Sequence, residues 1–351
     1  MKNKTKLLGS GATVALLMAA SPAFAAGTAA GLSVTNTVTV DYQVGGVAQT
    51  AQTASDTFTV DRKVNLTVAE LGTTTTTVSP GQSAAVTTFQ VTNLSNATLD
   101  FALAVAQQTG GAGAHSNTDS FDATNLRIYV DTDGSGTFTA GDTLVTYLDE
   151  LAADTSRTVF VVADIPLGQT TGAVAAVTLT ATGREGGTAA AQGAALSETT
   201  TGNTAGMDTV FADGAGATDA ARNADFSAKD DYTVSAAALA VVKRSTLVSD
   251  PFNGTTNPKY IPGAVLEYCI AVTNAAGSAS ATTVAISDPL PSEVTYLTSF
   301  GIKVDGTVNG SGVCQADGPG SGSIAGSTVS GTIATVAASQ TRTVLFRATI
   351  N

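Results

Sequence analysis

The stretch PGQSAAVTTFQVTN, residues 80–93, occurs a second time as PGAVLEYCIAVTN, residues 262–274, with one residue slipped. A second pair follows in the same order. LAADTSRTVFVVADIP, residues 151–166, matches VAASQTRTVLFRATIN, residues 336–351, at a constant offset of 185 (336 − 151). Two matches in one order and at nearly one offset predict two homologous domains.

Apolar and polar residues alternate along the predicted strands of both copies, and no stretch after the N-terminus has a helical period over more than two turns. In SVTNTVTVDYQV, residues 33–44, one face carries Val34, Val38, Val40 and Tyr42, whereas the other is rich in threonine. The pair Gly45-Gly46 then offers the positive φ of a tight hairpin turn. The sequence therefore predicts an all-β protein with an N-terminal β-hairpin.

Short strands at this spacing, in units of about 110 residues, predict two immunoglobulin-like β-sandwich domains. A Gly-, Ala- and Thr-rich region between them indicates a linker or an irregular insertion, with one possible strand at DTVFAD. The predicted segments are an N-terminal β-hairpin at 26–61, a first sandwich at 62–184, the linker or insertion at 185–236, and a second sandwich at 237–351.

The N-terminal segment, positions 1–25, has the pattern of a secretory signal peptide. Lys2, Lys4 and Lys6 precede an apolar run that ends in the small-x-small site Ala23-Phe24-Ala25. A transmembrane anchor is the weaker interpretation, because the apolar run is short and is interrupted by Ser21-Pro22. We therefore expect this segment to be removed and the protein to be secreted, extracellular or displayed on the cell surface.

Charge and cysteine content agree with this destination. Removing the three lysines of the predicted signal peptide leaves a net charge of 13 − 28 = −15, which argues against binding nucleic acid or anionic lipid. Cys269 and Cys314 are the only cysteines, and in an oxidising compartment they are expected to form one disulfide. Closing the loop of about 45 residues between them stabilises a fold by about 4 kcal/mol in the chain-entropy treatment.

The second copy resembles a known family through four short elements: Pro262-Gly263, Thr273-Asn274, the run Asp288-Pro289-Leu290-Pro291, and the closing strand at Thr343-Val344. They are similar to the conserved-repeat domain of bacterial surface and secreted proteins, a domain of unknown function numbered eleven. The resemblance covers the last third of the chain. The first copy is a diverged version that lacks the Asp-Pro-Leu-Pro element. The resemblance implies an immunoglobulin-like building block of the cell wall or extracellular space, without catalytic residues.

Domains of this family usually continue, after the strand RTVLFRATI, into one more strand. The first copy has such a strand, AVAAVTLTATG at 173–183, and we expect the second copy to lack it. GLSVTNTVTVDY, residues 31–42, resembles the missing strand. A sandwich with an open edge can be completed by a strand from another molecule. This suggests the hypothesis of self-association through residues 31–44, head to tail, into filaments or a surface layer. The simpler interpretation, which the sequence favours, is that the hairpin packs within its own chain and the second domain is merely short.

DTDGSGTFTAGDT, residues 131–143, has the spacing of a calcium-binding loop, in which oxygen ligands stand at positions 1, 3, 5, 7, 9 and 12 around a glycine at position 6. The predicted ligands are Asp131, Asp133, Ser135, the carbonyl of Thr137, Thr139 and Asp142. Because the flanking segments LRIYV and TLVTYL are predicted strands, calcium would be structural there. The alternative is a Gly/Asp-rich hairpin loop in water.

The sequence shows no catalytic constellation. His115 is the only histidine, lies in the loop GGAGAHSNTD and is expected to be solvated. Neither a G-x-S-x-G elbow nor an H-E-x-x-H helix is present. We therefore expect a structural protein rather than an enzyme, with no small-molecule substrate. The alternative is an adhesin that recognises a glycan or a protein through its end loops.

Overall fold

The computed structural model describes residues 27–351, and all of its helix or strand elements are β-strands. The prediction of an all-β protein is confirmed. The N-terminal segment contains β1 (Ser33–Val40), β2 (Gln43–Val44), β3 (Val47–Ala48) and β4 (Gln52–Thr59). The predicted signal peptide lies outside the described residues. Within residues 27–351, no helix is long and apolar enough to cross a membrane.

The N-terminal strands form the predicted hairpin. β1 pairs with β4 antiparallel along its whole length, from Ser33 opposite Thr59 to Val40 opposite Gln52. The turn is made by Gly45 and Gly46, whose φ angles are 57° and 82°. Glycine suits both places, because a side chain at positive φ is strained.

The first domain is a sandwich of two five-stranded sheets. Its strands are β5 (Arg62–Val64), β6 (Leu66–Glu70), β7 (Thr76–Val78), β8 (Ala85–Asn93), β9 (Leu99–Gln107), β10 (Thr124–Val130), β11 (Thr143–Leu144), β12 (Tyr147–Leu151), β13 (Ser156–Asp164), β14 (Val174–Arg184), β15 (Thr209–Phe211) and β16 (Asp225–Val234). One sheet has the order β11-β10-β13-β8-β6 and the other β12-β9-β14-β16-β7. Their inner faces bury a core that includes Phe89, Phe101, Leu179 and Tyr232.

The prediction of a linker at 185–236 is wrong for its last part. β16 pairs with β14 along most of its length, and its end also pairs in parallel with β7. Tyr232 of β16 is fully buried and donates a hydrogen bond to the carbonyl of Val161 at 2.9 Å. The apolar alternation of this strand is interrupted by an acid, Asp230, and the surrounding composition is loose, so the sequence carries no clear period-2 signal here. The first domain therefore extends to Val234.

The second domain has a five-stranded and a three-stranded sheet. Its strands are β17 (Leu239–Ser249), β18 (Val265–Asn274), β19 (Ala281–Pro289), β20 (Val294–Tyr296), β21 (Lys303–Gly306), β22 (Ser323–Ala325), β23 (Thr328–Val336) and β24 (Thr341–Ile350). The sheet orders are β17-β18-β24-β20, with β21 also paired to β24, and β19-β23-β22. A separate core forms around Val272, Ile333, Val344 and Phe346. Both domains are β-sandwiches; the immunoglobulin-like topology stays a prediction.

A buried asparagine occupies the same place in both domains. Asn93 at the end of β8 and Asn274 at the end of β18 are both fully buried. The side-chain amide of Asn93 donates to the carbonyl of Leu151 at 2.8 Å, and that of Asn274 donates to the carbonyl of Val336 at 3.0 Å. Leu151 and Val336, whose carbonyls accept these bonds, also match each other in the sequence repeat, because they are the first residues of the matching segments 151–166 and 336–351. The structure thus places the two sequence copies in equivalent positions.

Candidate functional site: hairpin, groove and acidic loop

The hairpin of β1 and β4 has a mainly apolar face, which also carries Asn36 and Asp56, and a hydroxyl face. Val38, Val40 and Phe58 project from the apolar face, and each is more than half exposed. On the opposite face, threonine and serine hydroxyls bond across the strands, for example Thr37 to Ser55 at 2.8 Å. An exposed two-stranded apolar face without cover is unusual for a monomer, because it favours association.

Of the four residues predicted to mediate self-association, three are open to solvent. Val38, Val40 and Tyr42 are about half exposed, and Val34 is half-buried. Within residues 27–351, β1 pairs with β4 alone. The hairpin therefore leaves most of its apolar face exposed in the single chain. The interpretation that the hairpin packs within its own chain would require this face to be buried.

A groove of about 440 Å³ opens between the two sheets of the second domain, along β17 and β19. It is lined mainly by apolar side chains, among them Leu239, Val241, Ile270, Val272, Val284 and Ile286. β17 pairs with β18 and β19 pairs with β23, and no other strand in the described part of the chain pairs with either. Both edges that face the groove thus keep unpaired backbone groups.

In the first domain, the position that corresponds to this groove is covered by two strands. β17 corresponds to β6, because each pairs its first residue with the buried asparagine. Leu66 and Val68 of β6 are 0% and 4% exposed, whereas Leu239 and Val241 of β17 are 42% and 63% exposed. In the first domain, β14 and β16 pack over β6. The groove in the second domain therefore lies where β14 and β16 lie in the first.

The predicted calcium loop connects β10 and β11. Carboxylate oxygens of Asp131, Asp133 and Asp142 lie within 4.8 Å of one another. The backbone N–H of Ser135 donates to Asp131 at 3.1 Å and to Asp133 at 2.9 Å. The pKa of Asp133 is lowered, first by the hydroxyl of Ser135 and then by its backbone N–H and the hydroxyl of Thr139. Three acids are thus held together at one point.

The remaining predicted ligands lie in the same loop. The hydroxyl of Thr139 donates to Asp133 at 3.0 Å, and the hydroxyl of Ser135 donates to the carbonyl of Thr137 at 2.9 Å. The backbone N–H of Thr139 donates to Asp142 at 2.6 Å. Carboxylate, hydroxyl and carbonyl oxygens are the ligands that Ca²⁺ takes in proteins, so the donor set fits this ion.

The acidic loop also covers the outer side of a sheet. The ring of Phe138 lies 4.9 Å from that of Tyr129 and 6.0 Å from that of Phe160. Phe160 is fully buried although it does not belong to the interior core cluster. Any ion that orders this loop would therefore also stabilise the cover over Phe160.

Cys269 of β18 and Cys314 lie at disulfide distance, with their Cα atoms 5.9 Å apart and a sequence separation of 45. The predicted pairing is confirmed. The bond ties the loop that follows β21 to β18. Next to it, the guanidinium of Arg244 donates to the carbonyl of Gly312 at 3.3 Å. This loop is fixed on the sheet by both contacts.

His115 is not solvated, contrary to the expectation from the sequence. Its Nε2 lies 3.3 Å from Asp230 Oδ1 and 3.7 Å from Glu70 Oε1. The reason is that its loop folds back on the sheet, where the backbone N–H of His115 donates to Asp231 at 3.2 Å. Burial raises the pKa of Asp230 to about 7, and Glu70 adds to this effect. No local sequence signal predicts this cluster, because Glu70, His115 and Asp230 come from three segments that are distant in sequence.

A scan against family models finds no match, and a search of the curated proteins finds none either. The resemblance to the conserved-repeat domain stays a prediction.

Proposed function

We propose that the protein is a secreted or surface-displayed structural subunit that assembles head to tail. The hairpin of one copy fills the groove between β17 and β19 of the next. One observation carries the proposal: residues of the second domain that correspond to buried residues of the first are exposed along a groove with two unpaired strand edges. A strand pair added beside β19 satisfies the backbone groups of that edge and covers the apolar side chains of β17, whose outer edge stays free as that of β6 does in the first domain.

The two surfaces differ, so the contact is heterologous. Each copy would donate a hairpin through its N-terminal segment and accept one through its second domain. A heterologous contact grows into an open-ended chain unless its rotation closes a ring. The proposal therefore leads to filaments or a surface layer, which suits a protein whose sequence carries a predicted signal peptide.

The acidic loop fits this role as a structural calcium site in the first domain. Calcium would bridge the three carboxylates that otherwise repel one another, and so hold the loop against Phe160. Extracellular modules bind calcium weakly, at about 10⁻⁴–10⁻³ M, which suits calcium levels outside cells.

Assembly can be tested with two full-length variants that each block one surface. Val38→Glu places a charge on the donor face, and Val241→Glu places one in the acceptor groove. Both side chains are more than half exposed, so neither change disturbs the fold of the single copy. Sedimentation velocity and negative-stain electron microscopy should show concentration-dependent chains for the unmodified protein and monomers for each variant.

Mixing the two variants provides the decisive result. The Val38→Glu chain keeps an open groove and the Val241→Glu chain keeps an intact hairpin, so the mixture should form a 1:1 complex and stop there. Thr39→Glu, on the hydroxyl face of the hairpin, is the matched control and should assemble normally, because its counterpart Thr180 is not fully buried in the first domain. Unmodified protein that stays monomeric at all concentrations, with no complex in the mixture, would overturn the proposal and favour the adhesin alternative.

A further inference from the structure

We infer that the β1–β4 hairpin is a displaced copy of the β14–β16 strand pair, and that it enters the groove of the next copy in the register that β14–β16 has in the first domain. This inference rests on the proposed head-to-tail assembly. It names the occupant of the groove residue by residue, and therefore predicts which side chains meet across the contact.

The two strand pairs match in sequence. ASDTFTV, residues 54–60, aligns with AKDDYTV, residues 228–234: Ala, Asp, Thr and Val are identical, and Phe58 stands for Tyr232. On the partner strands, TVTV at 37–40 aligns with TLTA at 178–181.

The pairing register is also the same in both. Val38 lies opposite Ala54 in the hairpin, and Leu179 lies opposite Ala228 in the first domain. Val34 lies opposite Phe58, and Ala175 lies opposite Tyr232. Two strands that align in sequence and also pair residue for residue form the same structural unit twice.

Chain order explains why one unit is left without a partner. β16 ends at Val234 and leads into β17 at Leu239, the first strand of the second domain. β4 ends at Thr59 and leads, through the short β5, into β6 at Leu66. Each unit thus precedes a domain. β14–β16 also closes the domain before it, whereas β1–β4 closes no domain of its own copy in residues 27–351. The contact between copies would repeat the junction between the two domains of one chain.

The first domain supplies the register of the contact. β14 pairs with β9 so that Ala181 lies opposite Leu103. β19 is the counterpart of β9. Leu148 lies opposite Phe101, and Ile333, which matches Leu148 at the repeat offset, lies opposite Val284.

Phe101 and Val284 are therefore counterparts. Leu103 and Ile286 each lie two residues further along their strands, so Ile286 is the counterpart of Leu103. Val40 stands at the place of Ala181. Val40 of one copy should therefore lie opposite Ile286 of the next. Phe58, at the place of the buried Tyr232, should point to β24, because Tyr232 contacts Val161 and Phe346 matches Val161 at the repeat offset.

Charge complementarity supports the same register. In the first domain, carboxylate oxygens of Glu70 and Asp230 lie within 4.8 Å. Asp56 takes the place of Asp230 in the hairpin, and Lys243 takes the place of Glu70 in the groove, because both follow the first residue of their strands by four. The contact thus brings an acid to a lysine whose Nζ lies 2.6 Å from Asp288.

Cysteine pairs test the register in full-length protein. The donor chain carries Val241→Glu together with Val40→Cys, and the acceptor chain carries Val38→Glu together with Ile286→Cys. Residues directly opposite in adjacent antiparallel strands have Cα atoms about 4.5–5.5 Å apart, which is within disulfide range. Mild oxidation should give a cross-linked dimer, mapped to these two cysteines by peptide mass analysis. Thr39→Cys in place of Val40→Cys is the control, because a shift of one residue points the side chain to the other face.

The outcomes separate this inference from the proposed function. Cross-linking with Val40→Cys and at least tenfold less with Thr39→Cys supports the register. A 1:1 complex that forms but cross-links equally with both, or not with Val40→Cys, overturns the register and leaves head-to-tail assembly standing. Absence of any complex overturns both.

A charge exchange gives an independent readout. Asp56→Lys in the donor chain should weaken the complex at least tenfold, and Lys243→Glu in the acceptor chain should restore at least half of that loss on a logarithmic scale. Asp41→Lys, on the same hairpin outside β1 and β4, should leave the affinity within about twofold. If Asp56→Lys binds as tightly as the unmodified donor, Asp56 does not meet Lys243 and the register is wrong.

Discussion

The apolar face of the hairpin should determine the strength of assembly, and a pair of isosteric substitutions measures it. Val38→Thr with Val40→Thr replaces one methyl group by a hydroxyl at each position and keeps the β-branched shape that favours strands. Both side chains are about half exposed in the single copy, at 56% and 52%. The free energy of unfolding of the monomer should therefore change by less than about 0.5 kcal/mol.

The expected loss of affinity follows from the places these residues would occupy. Their counterparts in the first domain, Leu179 and Ala181, are fully buried. Burying a hydroxyl without a hydrogen-bond partner costs about 1–3 kcal/mol in protein mutational data. With about 1.5 kcal/mol for each site, the double variant should lose about 3 kcal/mol, which is roughly a 150-fold higher Kd.

The assay is sedimentation equilibrium on the 1:1 complex. The donor chain carries Val241→Glu, with or without the two threonines, and the acceptor chain carries Val38→Glu. The matched control replaces Thr37 and Thr39 by valine on the hydroxyl face, where the affinity should stay within a few-fold. If the threonine pair binds as tightly as the unmodified donor, or if the control loses as much affinity, then the apolar face is not the contact surface.

Two further predictions concern the first domain. Calcium at ten times its Kd should stabilise the domain by about 1.4 kcal/mol, which raises its Tm by about 3–6 °C, and Asp142→Asn should abolish the shift whereas Asp41→Asn should not. Thermal unfolding in about 10 mM calcium, well above the Kd range of extracellular modules, and in chelator checks this; equal shifts in both variants would show that the acidic loop is not responsible. The pKa of Asp230 is raised to about 7 from an ordinary 3.8, so the protonated carboxyl stabilises the folded state. This contribution to the free energy of unfolding is fully present below about pH 4, falls by on the order of 1 kcal/mol per pH unit as the pH rises, and is lost above about pH 7. Urea unfolding of Asp230→Asn between pH 4 and pH 8 should be flatter than that of the unmodified protein; identical slopes would show that another group causes the pH dependence.

Local sequence signals were sufficient for the parts of this fold that depend on neighbouring residues. Period-2 alternation predicted the strands, and Gly45-Gly46 predicted the hairpin turn, since both are properties of a few consecutive residues. The cysteine pair was predictable because the chain has only two. The calcium-type loop places its predicted ligands in one short segment, Asp131 to Asp142, so their proximity followed from the spacing.

Features that depend on distant residues have no local sequence signal. The sequence predicts a linker where β16 lies, because Asp230 interrupts the apolar pattern, and only the pairing with β14 shows that β16 is an inner strand. The sequence predicts a solvated His115, yet its loop folds back over β16, which lies far later in the chain. Neither outcome can be derived from local pattern, because burial is decided by which strands are adjacent in the sheet.

By itself the sequence determined the β class, the two copies, the hairpin with its apolar face, and the absence of an obvious catalytic motif. Tertiary structure alone decided which strand edges remain unpaired. Strand order is set by pairing between segments far apart in sequence, and each pairing uses only one edge of each strand. The groove between β17 and β19, and its likeness to the place filled by β14 and β16, therefore became visible only when both sandwiches were assembled.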